Sequence, residues 1–130
     1  MSVAPETLQP VERRITQEQL VQYADASGDH NPLHLDEEFA RDTPYGRTIA
    51  HGMLVLALVS ELMTHSFGEA WLRGGRLKTR FRAPVFPGDT VRAIGMLKTS
   101  DEGSATYEVT VANQDGENVI TGDASVTLNA

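Results

Sequence analysis

The sequence predicts an α+β fold in which an antiparallel sheet packs on one buried helix. Two observations carry that expectation. From Met53 to Val59 every residue is apolar, and Leu62 and Met63 extend the run, so a helix here is hydrophobic on nearly every face and belongs in a core. From Arg76 onward the period changes to two: Arg76, Lys78, Arg80 and Arg82 alternate with Leu77, Thr79, Phe81 and Ala83, the pattern of a half-buried strand.

The elements follow in order. Residues up to about Pro10 are polar and proline-bearing and read as a loose lead-in. Val11 to Ile15 suits a short strand. Thr16-Gln17-Glu18-Gln19 fits a capping box opening a helix that runs to about Ala26, with Leu20, Val21 and Ala24 as its apolar face. Gly28 is placed to end it in a left-handed cap. Asp36 to Ala40 suggests a second short helix, and Thr43-Pro44-Tyr45-Gly46 a turn. The central helix is expected from Gly52 to about His65. After the basic strand, Pro87-Gly88-Asp89 turns the chain into strands over 90–99, 105–112 and 119–128, the last two joined through the hairpin signal Asp115-Gly116.

Composition narrows the function classes. A chain of 130 residues suits one domain spanning 1–130 and leaves no room for a separate cofactor-binding domain. A net charge of -7 argues against nucleic acid and anionic membrane surfaces as partners. There is no cysteine, hence no disulfide framework, thiol nucleophile or thiolate metal site, which suits the cytoplasm. Residues 1–14 do not read as a signal peptide, and the apolar run is far short of the roughly 20 residues that cross a bilayer.

The chemistry-bearing stretch is Ser27-Gly28-Asp29-His30-Asn31-Pro32-Leu33-His34. Pro32 biases Asn31 towards an extended conformation and is expected to exclude a helix there, so Asp29 and His34 share a stiff loop. His30 and His34 therefore lack the helical spacing of metal ligands, and no metal site is expected. An aspartate and a histidine are, near pH 7, a carboxylate and a mostly neutral imidazole, able to hold and polarise one water. Gly52 can offer a backbone N–H at the start of the apolar helix, where negative charge is favoured. His51 reads as a buried histidine bonded to backbone.

Ser27-Gly28-Asp29-x-Asn31-Pro32-x-His34, followed by His51-Gly52-Met53-Leu54, resembles the signature of the R-specific enoyl-CoA hydratases, or MaoC-like dehydratases. Phe81-Arg82-Ala83-Pro84-Val85-Phe86-Pro87-Gly88-Asp89 is similar to that family's second recurring segment. The resemblance implies the hot-dog fold, a curled sheet around one long helix, and a homodimer whose sheets join side by side. It implies reversible hydration of trans-2-enoyl thioesters, with Asp29 and His34 as the catalytic pair, Asn31 supporting the loop and the Gly52 amide polarising the thioester carbonyl. Ser60 either contacts the active site, as in some members, or bonds back to the Leu56 carbonyl. Arg80 and Arg82, within the basic run from Arg73 to Arg82, are candidates for the phosphates of coenzyme A, and Pro84 and Val85 for the ligand channel. Pro84 is taken to mark a strand edge or bulge. No cofactor is expected, coenzyme A being part of the substrate. Three rivals remain: the same chemistry on an acyl carrier protein, a hot-dog thioesterase using Glu61 as its helix carboxylate, and a non-catalytic acyl-CoA-binding module.

Overall fold

The computed structural model describes residues 4–128. Helix α1, Gln17–Ser27, begins with both halves of the capping box: the Gln19 N–H donates to Thr16 Oγ1 and the Thr16 N–H to Gln19 Oε1, each at 3.2 Å. It buries Leu20 and Ala24, while Val21, expected on the same face, is 46% exposed. Gly28 ends it at φ 83, donating its N–H to the Ala24 carbonyl.

A one-turn helix, α2 (Pro32–Leu35), follows where none was expected. Pro32 opens this turn instead of excluding it, because the first position of a helix needs no N–H donor and favours the proline φ. Asn31 caps it, its Oδ1 accepting from the Leu33 N–H at 3.0 Å. Asp36 caps the next helix, α3 (Glu37–Arg41), by accepting from the N–H groups of Glu38 and Phe39.

Helix α4, Gly52–Phe67, buries Val55, Leu58, Val59, Leu62 and Met63, residues spaced by three and four that face the sheet. It is not buried all round: Met53 is 59% exposed and Ala57 is exposed. Gly68, at φ 56, separates it from a short helix that the sequence did not signal, α5 (Glu69–Gly74), which buries Trp71.

The sheet has five antiparallel strands: β1 (Val11–Arg14), β2 (Arg76–Phe81), β3 (Thr90–Ser100), β4 (Ser104–Ala112) and β5 (Asn118–Thr127), in the order β1-β3-β4-β5-β2. Strands β3, β4 and β5 form the meander, and β2 lies against β5 at the edge opposite β1. The segment from Arg82 to Asp89 therefore crosses from one edge towards the other. The expected strand ends early, at Phe81. Pro84 lies in the crossing segment and not within a strand, since Arg82 and Ala83 donate to the same Val119 carbonyl and Pro84 has no N–H to continue the ladder.

The lead-in is not loose over its described part. Leu8 is 4% exposed and donates to the Gly95 carbonyl, Leu97 donates to the Glu6 carbonyl, and the buried Tyr107 hydroxyl donates to the Pro5 carbonyl at 2.7 Å. The first three residues of that expected segment lie outside the described residues.

Candidate active site

Two turns of backbone fix Asp29. Its N–H donates to Ser27 Oγ at 3.1 Å, and its Oδ1 accepts from the Asn31 N–H at 3.2 Å. This Asx-turn occupies one carboxylate oxygen, and the side chain is otherwise open to solvent. His34, half-buried on α2, lies 2.7 Å through Nδ1 from the Ile49 carbonyl. A carbonyl only accepts, so Nδ1 carries the proton, and in the neutral ring Nε2 keeps a free lone pair.

The loop is tied to both neighbouring helices. Gln17, at the start of α1, donates to the His34 carbonyl at 2.9 Å, and the buried Thr48 hydroxyl lies 2.8 Å from Gln17 Oε1 and from Glu37 Oε1. Ile49 donates to the Leu33 carbonyl and Ala50 to the Val85 carbonyl, which binds the crossing segment to the same assembly.

His51 is 2% exposed, and its Nε2 donates to the Asp29 carbonyl at 3.0 Å. Its ring stacks on His34 with centroids 3.9 Å apart and planes inclined by 26°. Burial, the largest influence, lowers its pKa from the ordinary histidine value and keeps the ring neutral. Asp29, His34 and His51 each bring one ligand atom within 4.8 Å of the others. One nitrogen of each ring is already committed to a carbonyl, Nδ1 of His34 to Ile49 and Nε2 of His51 to Asp29.

Beside His34 opens a cavity of about 290 Å³, walled by Ile49, Ala50, Val55, Val85, Val119 and Ile120, with Pro84, Ala83 and Arg82 along the crossing segment and Tyr45 and Phe81 among its exposed members. Gly52 is on its wall. No side chain caps α4, and while Leu54 and Val55 donate to the His51 carbonyl, the N–H groups of Gly52 and Met53 have no partner among the described residues and give the apolar cavity a site for negative charge. A Cβ on Gly52 would stand 2.9 Å from Phe81 Cε1.

The other expected residues divide. Pro84, Val85 and Arg82 line the cavity, with Arg82 Nε donating to Thr121 Oγ1 at 2.9 Å. Arg80 does not; it borders a separate hollow of about 200 Å³ with Lys78, Arg82 and Asp123. Ser60 departs from both expected roles. It is absent from the cavity wall, and its Oγ accepts from Trp71 Nε1 at 3.1 Å. Glu61 is held in a two-pronged pair by Arg13, at 3.1 and 2.9 Å. Sequence reasoning left Tyr45, Thr48 and Ile49 out of the site, because nothing in their local pattern shows what the fold sets beside them.

An antiparallel sheet against one long helix, with the aspartate before α2 and the histidine on it set beside the helix start, defines a hot-dog domain of the dehydratase type. The family model described as MaoC like domain matches residues 2–119, and the chain belongs to that family. Among relatives, the chain is 41% identical over 103 residues to the 3-hydroxyacyl-thioester dehydratase Z of Mycobacterium tuberculosis, covering 75% of this chain and 68% of that protein. It is 36% identical over 120 residues to the (R)-specific enoyl-CoA hydratase of Aeromonas caviae, covering 89% and 88%. A solved structure, the A. caviae (R)-hydratase involved in PHA biosynthesis, superposes with a TM-score of 0.83 at 32% identity, over 98% of this chain and 99% of that one.

Proposed function

We propose that this chain is a hydro-lyase that reversibly adds water to a trans-2-enoyl thioester of coenzyme A, giving the R-3-hydroxyacyl thioester. The observation that carries the reading is the pairing of the Asp29 carboxylate with the free Nε2 side of His34 next to a cavity walled by apolar residues and the Gly52 end of α4. In this reading one water sits between Asp29 and His34. Its oxygen bonds to carbon 3 as its proton passes to the pair, while carbon 2 takes a proton and the developing enolate oxygen is held by the N–H groups at Gly52. The reaction moves only a proton and a hydroxide, so it calls for no redox cofactor or metal.

Arg80 and Arg82, both exposed, are proposed contacts for the phosphates. The free edge of β2, which pairs only with β5 among the described residues and carries the 56% exposed Phe81, is the proposed seam of a homodimer. A cytoplasmic location belongs to the same reading and draws support from the cysteine-free sequence. The thioesterase reading loses support from Glu61, whose carboxylate is already engaged by Arg13.

The test follows loss of enoyl absorbance with a short trans-2-enoyl-CoA. Wild type is expected to turn over, and Asp29→Asn or His34→Ala to lose roughly a hundredfold or more. Full activity in both variants would refute the pair. Turnover only of carrier-protein thioesters would move the reading to an acyl-carrier dehydratase, and ligand binding without turnover to a binding module.

A further inference from the structure

The residue that joins the two halves of the site is neither of the proposed reacting groups. His51 donates from Nε2 to the Asp29 carbonyl at 3.0 Å, and the same ring stacks on His34 at 3.9 Å. Tyr23 of α1 also lies 4.8 Å from the same ring, inclined by 60°, so the ring is in contact with both α1 and α2. One side chain thus touches the backbone of Asp29 and the imidazole of His34.

The second observation is a cost. Nδ1 of His51 is buried and has no hydrogen-bond partner among the described residues. A lone buried acceptor opposes folding, and a partnerless group in an otherwise satisfied structure calls for a reason. An apolar ring of similar size would pack against Tyr23 and His34 without that cost. What such a ring cannot supply is the Nε2–H bond to Asp29.

We propose that His51 is a positioning residue for the hydration reaction, fixing Asp29 relative to His34 by bonding the backbone of one while its ring braces the other. This rests on the reading of Asp29 and His34 as the reacting pair. Asp29 is exposed and otherwise tied only within its own turn, through Ser27 and Asn31. Without the His51 bond that turn can shift as a unit against α2. A misplacement of about 1 Å between reacting groups costs on the order of a hundredfold in rate.

The test separates the bond from the ring. His51→Phe keeps a ring and removes the donor; His51→Gln keeps an amide donor near the Nε2 position and removes the ring. The expected result for His51→Phe is a kcat lower by about a hundredfold, with KM little changed and a melting temperature equal to or above that of wild type. His51→Gln is expected to recover most of the lost kcat. Full kcat in His51→Phe, or an equal loss in both variants, would overturn the proposal.

Long-range 1H–15N spectra of the wild-type protein give an independent check that needs no variant to fold. They are expected to show His51 protonated on Nε2, and protonation on Nδ1 alone would remove the donor and the proposal with it. Asp29→Asn, run alongside, keeps two failures apart. If it retains turnover, the reacting pair is wrong. If it loses turnover while His51→Phe does not, only the positioning role fails.

Discussion

One hydrogen atom in place of a methyl group decides what Gly52 can do. A Cβ there would meet Phe81 Cε1 at 2.9 Å, closer than carbon atoms pack, but Phe81 is 56% exposed and its ring end can swing aside. Gly52 has no positive φ and sits in the first turn of α4, where alanine is the better helix former. Gly52→Ala is therefore expected to fold with its melting temperature nearly unchanged. The methyl and the displaced ring would instead crowd the cavity in front of the helix N–H groups. Turnover of a short enoyl-CoA should fall by roughly ten- to a hundredfold, less than the roughly hundred- to thousandfold of losing an oxyanion donor outright, because the N–H remains and only access to it is obstructed. A variant that melts several degrees lower with unchanged turnover would mean that Gly52 serves only packing.

At the scale of elements, α1 matters for where it stops. Thr16 and Gly28 hold its two ends, and each is worth about 1 kcal/mol: the first by a lost cap on Thr16→Ala, the second by forcing alanine into the left-handed region on Gly28→Ala. Gly28 is at φ 83 with open space around it, so the second cost is backbone strain alone. Only Gly28 precedes Asp29 directly. Both variants should lower the denaturation midpoint by similar amounts, whereas Gly28→Ala alone should cost turnover beyond its loss of folded protein. Equal effects on turnover would detach the cap from the site. These elements were legible because their signals are local: a capping box, a glycine after an apolar face, an unbroken apolar run, and Asp115-Gly116, whose glycine adopts φ 79. Helix α2 was not, being a single turn too short to show a period. Helix α5 was missed because Trp71 is buried through tertiary contacts that its neighbours in sequence do not signal. The site divides in the same way. Spacing put Asp29 and His34 near each other, although His34 lies on α2 and not on the expected loop; the orientation of Ser60 depends on Trp71, and the cavity wall draws Val119 and Ile120 from a strand near the other end of the chain.

For the whole molecule, the distribution of charge matters more than its sum. The net charge is -7, yet Arg76, Lys78, Arg80 and Arg82 lie exposed along one edge of the sheet and its continuation. Lys78 faces Asp123 in the strand register, but the Asp123 carboxylate pairs with Lys98 at 3.3 Å. Arg80 faces Thr121, and among the described residues the Arg82 guanidinium bonds the neutral Thr121 hydroxyl, so neither guanidinium is neutralised by these neighbours. An acidic protein taking a polyanionic thioester needs such a local reversal of sign, and exposed charges act through a field that salt screens within about 8–10 Å. Replacing both Arg80 and Arg82 by glutamate should therefore raise KM for a coenzyme A thioester about tenfold or more while leaving kcat within roughly twofold. The same enoyl group on pantetheine, which lacks the nucleotide phosphates, should show no such rise. Added salt should weaken coenzyme A esters in wild type far more than in the double variant. Light scattering on the wild-type protein should give twice the 14.2 kDa chain mass if it dimerises as proposed. An unchanged KM for both substrates would make the basic row a solvated strand face and send the phosphates elsewhere on the surface.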